Sequence, residues 1–485
     1  MIRSIGLALV VALIVTGGAA FYLAGNIYLR DGHVTVPDDQ LDRPIPAASL
    51  RADLAVLLEV FEETHVDFAA INGDAYSNAV QALRDEISAP MTRLEFYRAL
   101  APLNALLTDG HTSVMRPAEE LDRYERNGGR YLPILVEVGS GSVEAARPYD
   151  DNSPFHAGDA VLSINNVPAE ELAAIALSHQ SGENLTLREA YAARSFYRTL
   201  ALTGVSGPFT VEIERNGQRI IQTVEGVTRP DYVARRAQAA TAGNELAILN
   251  PTTAVLTFSD MPSRLGPFSD FLETSFDTIA VNEIQTLIID IRANGGGDSR
   301  AGNLLLSYVA DRDYPALERV DVKVTERIQD YYEALLPSGF RWLPLNRFVP
   351  ILRQIASREP GTVFSIQPDG EMPLAWENQR TNAFTGELIV LTGPATYSSA
   401  AIFAAPLSHY DQAVFIGEET GEPTVFFGEN YVFDLPNSRL QAVVSHKRFD
   451  LVGEGNHQTG IQPDIAVAAS SALETAMLYA QGNRY

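Results

Sequence analysis

The sequence predicts an α/β protein of more than one domain, on three observations. Beyond about residue 245 short apolar runs alternate with helical segments, the pattern of strands and helices in a largely parallel sheet. Between about 131 and 228 the pattern changes to short β-prone runs separated by turn residues. The 485 residues also exceed the size at which one hydrophobic core stops growing.

From the amino terminus, an uncharged stretch from Ser4 to Leu29, rich in Leu, Val, Ile and Ala, follows Arg3. It is long enough to span a bilayer, which takes roughly 20 apolar residues. Residues 1–30 are therefore expected to be a membrane anchor, with the body on the periplasmic or extracellular side. A cleaved signal peptide is the alternative, because Gly17 to Ala20 offer small residues for cleavage. Residues 31–48, with Pro37, Pro44 and Pro46, suit a stalk.

Helical periodicity follows, giving a helical domain over 49–130. Leu50, Leu54, Leu57, Leu58 and Phe61 share one face, as do Tyr76, Val80, Leu83 and Ile87. Thr92 and Glu95 form a capping-box pattern ahead of Phe96, Leu100, Leu103 and Leu107.

Over 131–228 strands are expected at Tyr131 to Val138, Ala160 to Ile164, Phe209 to Glu214 and Arg219 to Val224. Asn216-Gly217 supplies a hairpin turn between the last two. The stretch from Ser153 to Pro168, where a Gly-Asp pair leads into a strand, resembles part of a PDZ domain; a helix at Leu187 to Leu202 would be an insertion in it. The Leu132-Pro-Ile-Leu135 region, through Leu132 and Ile134, is then the candidate peptide-binding edge.

The remaining residues, 229–485, carry the α/β pattern, with strands at Ala254 to Phe258, Thr286 to Ile291, Glu387 to Thr392 and Ala413 to Gly417. Helices are expected at Arg300 to Val309 and Ser399 to Leu407. Tyr331, Tyr332, Phe340 and Trp342 cluster between these units and read first as core, second as a lid.

A formal net charge of −25 repels phosphate backbones and leaves nucleic acid an improbable partner. There is no cysteine, which removes disulfides, thiolate metal sites and cysteine nucleophiles. The only lysines are Lys323 and Lys447.

Three segments can carry chemistry. Leu287-Ile-Ile-Asp-Ile-Arg-Ala-Asn-Gly-Gly-Gly297 is a buried strand breaking into glycines whose amides can point into a cavity. No Gly-Lys-Ser/Thr follows to make it a phosphate loop, and a tight turn is the plain alternative. Glu387-Leu-Ile-Val-Leu-Thr-Gly-Pro-Ala-Thr-Tyr-Ser-Ser399 is a strand and sharp turn opening a helix with two serines. A hydroxyl there can meet a carbonyl, although serine in this place is commonly only a cap. Leu107-Thr-Asp-Gly-His-Thr112 places a histidine in a turn. No His-Glu-x-x-His run supports a metal, so neither metal nor cofactor is expected.

In order, and with Gly417-Glu-Glu-Thr-Gly421 and Gly460-Ile-Gln-Pro-Asp464, these segments resemble the signature of the C-terminal processing (tail-specific) serine peptidases, over roughly residues 46 to 470. The resemblance implies a crotonase-like catalytic domain with a PDZ-like domain, and a nucleophile at Ser398. It also implies oxyanion amides from Gly295 or Gly296 and Ser399. Lysine-dependent members place their base in a Gly-Lys-Gly segment, where this chain reads Gly421-Glu422-Pro423. The chain thus resembles the histidine-dependent branch, which includes the tricorn core protease, with His111 as base. In that branch a carboxylate near the last motif orients the histidine. Glu454 is the candidate, with Asp109 a second and His457 at the closest aligned position.

The implied function is an exported endopeptidase acting near the C-terminal tails of proteins or peptides. A catalytically inert binding or scaffold protein on the same fold is the rival.

Overall fold

The computed structural model describes residues 35–239, 243–311, 315–334, 350–367, 382–453 and 455–482. Among these no helix is long and apolar enough to cross a membrane. The apolar stretch from Ser4 to Leu29 lies outside the described residues, as do Phe340 and Trp342.

The fold is mixed α/β, built on three sheets. At its centre a six-stranded sheet runs in the order Ile465–Ala466, Val414–Gly417, Glu387–Thr392, Thr286–Asp290, Thr253–Thr257 and Glu245–Asn250. All its pairs are parallel except the last, in keeping with the strand–helix alternation. Thr253–Thr257 and Thr286–Asp290 are buried along their whole length, as strands with both faces covered must be. Helices Leu265–Val281, Ser299–Val309 and Ser399–His409 contribute to the core on one face, and Ala472–Ala480 covers the other.

A five-stranded antiparallel sheet is built around Gln441–Leu451, which pairs with Val425–Asp434, with Leu317–Lys323 and with the two-residue strand Ser113–Val114. The sequence reading assigns no strands over 425–451. Val425–Asp434 passes from fully buried to half-buried residues, so it shows no simple alternation.

The amino-terminal helices Ala47–Thr64, Asp74–Glu86 and Arg93–Leu100 bury Leu50, Leu54, Leu57, Phe61, Phe96 and Leu100 against that sheet, in one cluster with Phe427, Leu440 and Val444. Leu58 sits at the margin, half-buried. The capping box forms as its sequence pattern predicts: Thr92 N donates to Glu95 Oε2 at 2.7 Å while Glu95 N donates to Thr92 Oγ1 at 3.3 Å. Buried Asp53 accepts from the amides of Asn437 and Ser438, tying the first helix to the turn that precedes Gln441–Leu451.

The third sheet orders Leu135–Gly139, Ser142–Arg147, Ala160–Ile164, Phe209–Arg215 and Gln218–Val224. Asn216 and Gly217, with φ of 52° and 74°, make the hairpin turn that their chemistry favours. Helix Leu185–Thr203 packs along this sheet and forms part of its core through Ala192, Phe196 and Leu200. Leu132 and Ile134, 1% and 2% exposed, lie inside the same core. Their side chains therefore have no surface to offer a peptide, a correction to the edge expected from sequence.

Candidate active site

Ser398 ends the turn after Glu387–Thr392 and precedes helix Ser399–His409. Its φ of 55° and ψ of −126° are strained for a residue with a Cβ, and such strain persists only where the surroundings enforce it. Two contacts do so. The Ser398 amide donates to Glu422 Oε2 at 2.7 Å, and Tyr397 N donates to the Asn294 carbonyl at 3.0 Å. The bond to Asn294 locks the serine turn to the glycine turn.

That glycine turn is shaped by Asn294, fully buried, which donates from Nδ2 to the Phe258 carbonyl and accepts from Gly296 N at 2.9 Å. Gly296 has φ of 90°, and a Cβ on it would lie 2.7 Å from Ser398 Cβ. Its amide is engaged by Asn294, which removes it from the expected oxyanion donors. Gly295 N and Ser399 N make no such bond among the described residues. The Ser399 hydroxyl donates to the Gly297 carbonyl at 2.8 Å, a bracing role.

His111 reaches Ser398 from the other end of the chain because Ser113–Val114 pairs with Val443 and Ala442. Ser445 N reinforces that junction by donating to Thr112 Oγ1. His111 Nε2 lies 3.1 Å from Ser398 Oγ. Its Nδ1 lies 3.1 Å from the Tyr397 hydroxyl, over whose ring it stacks with centroids 4.8 Å apart. The Tyr397 hydroxyl in turn donates to Glu183 Oε1 at 3.1 Å, and Gly110 N donates to the same oxygen.

Asp109 is the second carboxylate near the imidazole, with Oδ1 3.8 Å from His111 Nδ1 and 2.8 Å from the His111 amide. Its Oδ2 accepts from Thr112 Oγ1 and Ser445 Oγ and faces His65 Nε2 at 3.2 Å. Asp67 N donates to His65 Nδ1, so Nε2 carries the proton toward Asp109.

These surroundings set the charges. Burial opposes ionisation of Asp109, but His65, His111 and Thr112 outweigh it and hold the carboxyl at about 2. Burial, then the Asp109 charge, pushes Glu183 up to about 8. Burial, then Glu183, pushes Glu422 well above the carboxylate range. Burial lowers His111 below its ordinary value, while Asp109 and a bond to the Phe427 backbone pull the other way. One ligand atom each from Asp109, His111 and Glu183 lies within 4.8 Å of the others, a spacing compatible with a cation.

Sequence reasoning missed Glu183, Tyr397 and Glu422. Of its orienting candidates, Glu454 lies outside the described residues, while His457 is exposed and stacks on Phe427. Neither lysine approaches the serine hydroxyl: Lys323 Nζ donates to the carbonyls of Glu62 and His65, and Lys447 Nζ sits 3.6 Å from Glu429.

Residues 252–467 match the model of peptidase family S41. The chain carries an S41-family serine peptidase domain. The solved structure of mature CPAF is similar, at 16% identity and TM-score 0.58, over 88% of this chain and 94% of that one. Mature CPAF complexed with lactacystin is similar at 15% identity and TM-score 0.56, over 90% and 98%. The photosystem II D1 C-terminal processing protease is also similar, at 15% identity and TM-score 0.44, over 87% and 94%. No curated protein matches the chain. The two CPAF likenesses show that the S41 domain and its flanking segments share one overall fold with that protein.

Proposed function

We propose that this S41 peptidase is an exported endopeptidase that cleaves proteins or peptides near their C-terminal tails by a Ser398–His111 acyl-enzyme mechanism. The 3.1 Å approach of His111 Nε2 to a serine hydroxyl on a strained strand-to-helix turn carries the reading.

As Ser398 Oγ attacks the scissile carbonyl, His111 Nε2 takes its proton. The amides of Gly295 and Ser399 receive the oxyanion, aided by the partial positive charge of the helix start. His111 then returns the proton to the leaving amine, and water repeats the cycle on the ester. The imidazolium formed in between is balanced by Asp109, held ionised by its neighbours. Tyr397 and Glu183 position His111, taking the part assigned to Glu454 from sequence.

The same reading treats 49–130 as a helical domain, 131–228 as PDZ-like and 229–485 as a crotonase-like catalytic domain, tethered or exported through residues 1–30. Reaction with a fluorophosphonate probe, followed by peptide mapping, tests the chemistry. Modification is expected on Ser398 and lost in Ser398→Ala; labelling that survives there and vanishes in Ser399→Ala would transfer the role to Ser399.

A further inference from the structure

Asp109 acts on His111 through its charge. Its Oδ1 stands 3.8 Å from His111 Nδ1, too far for a hydrogen bond, and that nitrogen meets the Tyr397 hydroxyl at 3.1 Å instead. The carboxylate is wholly buried, so it can stay charged only if several donors face it. The His111 amide engages Oδ1 at 2.8 Å, and the hydroxyls of Thr112 and Ser445 engage Oδ2. A further donor, the His65 ring, arrives from a distant part of the chain and reaches Oδ2 at 3.2 Å.

The chain fixes that ring at both nitrogens. His65 closes helix Ala47–Thr64, where its amide donates to the Phe61 carbonyl. Two residues on, Asp67 caps the short helix Phe68–Ile71 by accepting from Ala70 N, which holds the Asp67 amide beside His65. That amide donates to His65 Nδ1 at 3.1 Å. The ring also packs against Phe427, with centroids 4.4 Å apart, and the Phe427 backbone bonds His111. The side chains of His65 and Asp109 are both fully buried.

A ring nitrogen that accepts carries no proton, so His65 donates to Asp109 as a neutral imidazole. The distinction matters for His111. A lysine or arginine in this place would satisfy Asp109 and also cancel its charge, leaving little field at the catalytic imidazole. A neutral donor satisfies the carboxylate and leaves its negative charge facing His111, where the imidazolium forms.

We propose that His65 is a positioning residue of the peptidase, which through its bond to Oδ2 holds the Asp109 carboxylate turned toward His111. The proposal rests on the Ser398–His111 reading and deepens it. A histidine that only fills the core is the alternative, and the two differ in whether the effect of His65 passes through Asp109.

The test uses the full chain and the saturating rate of phosphonylation by a fluorophosphonate, in which Ser398 Oγ bonds phosphorus, fluoride leaves and His111 takes the hydroxyl proton. His65→Asn keeps an acceptor near Nδ1 for Asp67 N but falls short of Asp109, whereas His65→Gln can reach Oδ2 with its amide. His65→Asn is expected to lower the limiting rate about tenfold with the half-saturating probe concentration little changed, and His65→Gln to recover most of that loss. In an Asp109→Asn background, His65→Asn should cost less than about a further twofold, because residues of one network are not additive. Melting temperatures separate poor folding from poor chemistry, and the comparison of the Asn and Gln variants stands even if Asp109→Asn folds poorly. Equal losses in the two backgrounds, a Gln variant no better than Asn, or an unchanged rate in His65→Asn would overturn the proposal, while labelling of Ser398 in the parent upholds the peptidase reading. A parent protein that takes no label on Ser398 would sink both.

Discussion

The Tyr397 hydroxyl stands between His111 Nδ1 and Glu183 Oε1, 3.1 Å from each. With Nε2 accepting from Ser398, Nδ1 must carry the ring proton, so the hydroxyl accepts from His111 and donates to Glu183. Tyr397→Phe keeps the stacked ring and removes only that link. We expect kcat to fall by about ten- to a hundredfold with KM little changed, the scale of one hydrogen bond to a charged group. An unchanged kcat would leave Asp109 as the sole positioning carboxylate.

The base itself should matter more. His111→Ala is expected to lose roughly two to four orders of magnitude in rate, while Lys323→Ala and Lys447→Ala lose little because their ammonium groups face Glu62, His65 and Glu429. With the imidazole lowered by burial, the acid limb of the rate profile should have its midpoint below 6.5. Steady-state kinetics across pH on the three variants checks both statements.

Much of this site was legible in the sequence, and the missing parts share a cause. Ser398, His111 and the Asn294 glycine turn sit in contiguous segments whose local chemistry is distinctive. Glu183 lies in the turn ahead of Leu185–Thr203, a helix readable only as an insertion until packing brings it beside Gly110. Glu422 was visible only as the residue where lysine-dependent relatives carry their base; nothing local says that it accepts the Ser398 amide. Strands over 425–451 escaped because their burial comes from contact with amino-terminal helices far away in sequence. The Asn216-Gly217 hairpin and the Thr92 capping box, settled within a few residues, were fully readable.

Glu422 offers a test of positioning by a neighbour of the nucleophile. It is wholly buried and grips the strained backbone of Ser398 at 2.7 Å. Glu422→Gln retains a carbonyl acceptor and should keep activity within a few-fold. Glu422→Ala leaves the Ser398 amide unpartnered and should lower kcat by about ten- to a hundredfold. Equal losses in both variants would mean that the carboxyl proton, not the acceptor, is what matters.

Glu183 also ties stability to pH. Its folded pKa, about 8, lies above the ordinary glutamate value of 4.5, so the folded state holds this proton more tightly than the unfolded chain. Its contribution is fully present below about 4.5 and is lost as pH rises through about 8. Glu183→Gln, which cannot ionise, should therefore gain thermal stability relative to the parent between those limits, with the difference growing toward pH 8. Thermal denaturation of both proteins across that range measures it, and a parallel pair of curves would rule the linkage out.

The two glycines beside the serine should behave differently when given a methyl group. On Gly296 a Cβ would stand 2.7 Å from Ser398 Cβ, 2.8 Å from the Tyr397 carbonyl and 2.9 Å from Ser399 N, at a φ of 90°. Backbone in this region alone costs a residue with a side chain about 1–2 kcal/mol, and none of the three contacts is the free end of a flexible side chain. Relief must come from shifting the serine turn. On Gly295 the nearest atom would be Arg194 Nη1 at 3.5 Å, an ordinary contact with a movable side chain. Gly296→Ala is thus expected to lower the melting temperature and abolish fluorophosphonate labelling. Gly295→Ala should fold like the parent and keep labelling, since its amide remains. Equal tolerance of both substitutions would show that the glycine turn can yield without moving Ser398, and would remove the close approach as the reason for glycine at 296.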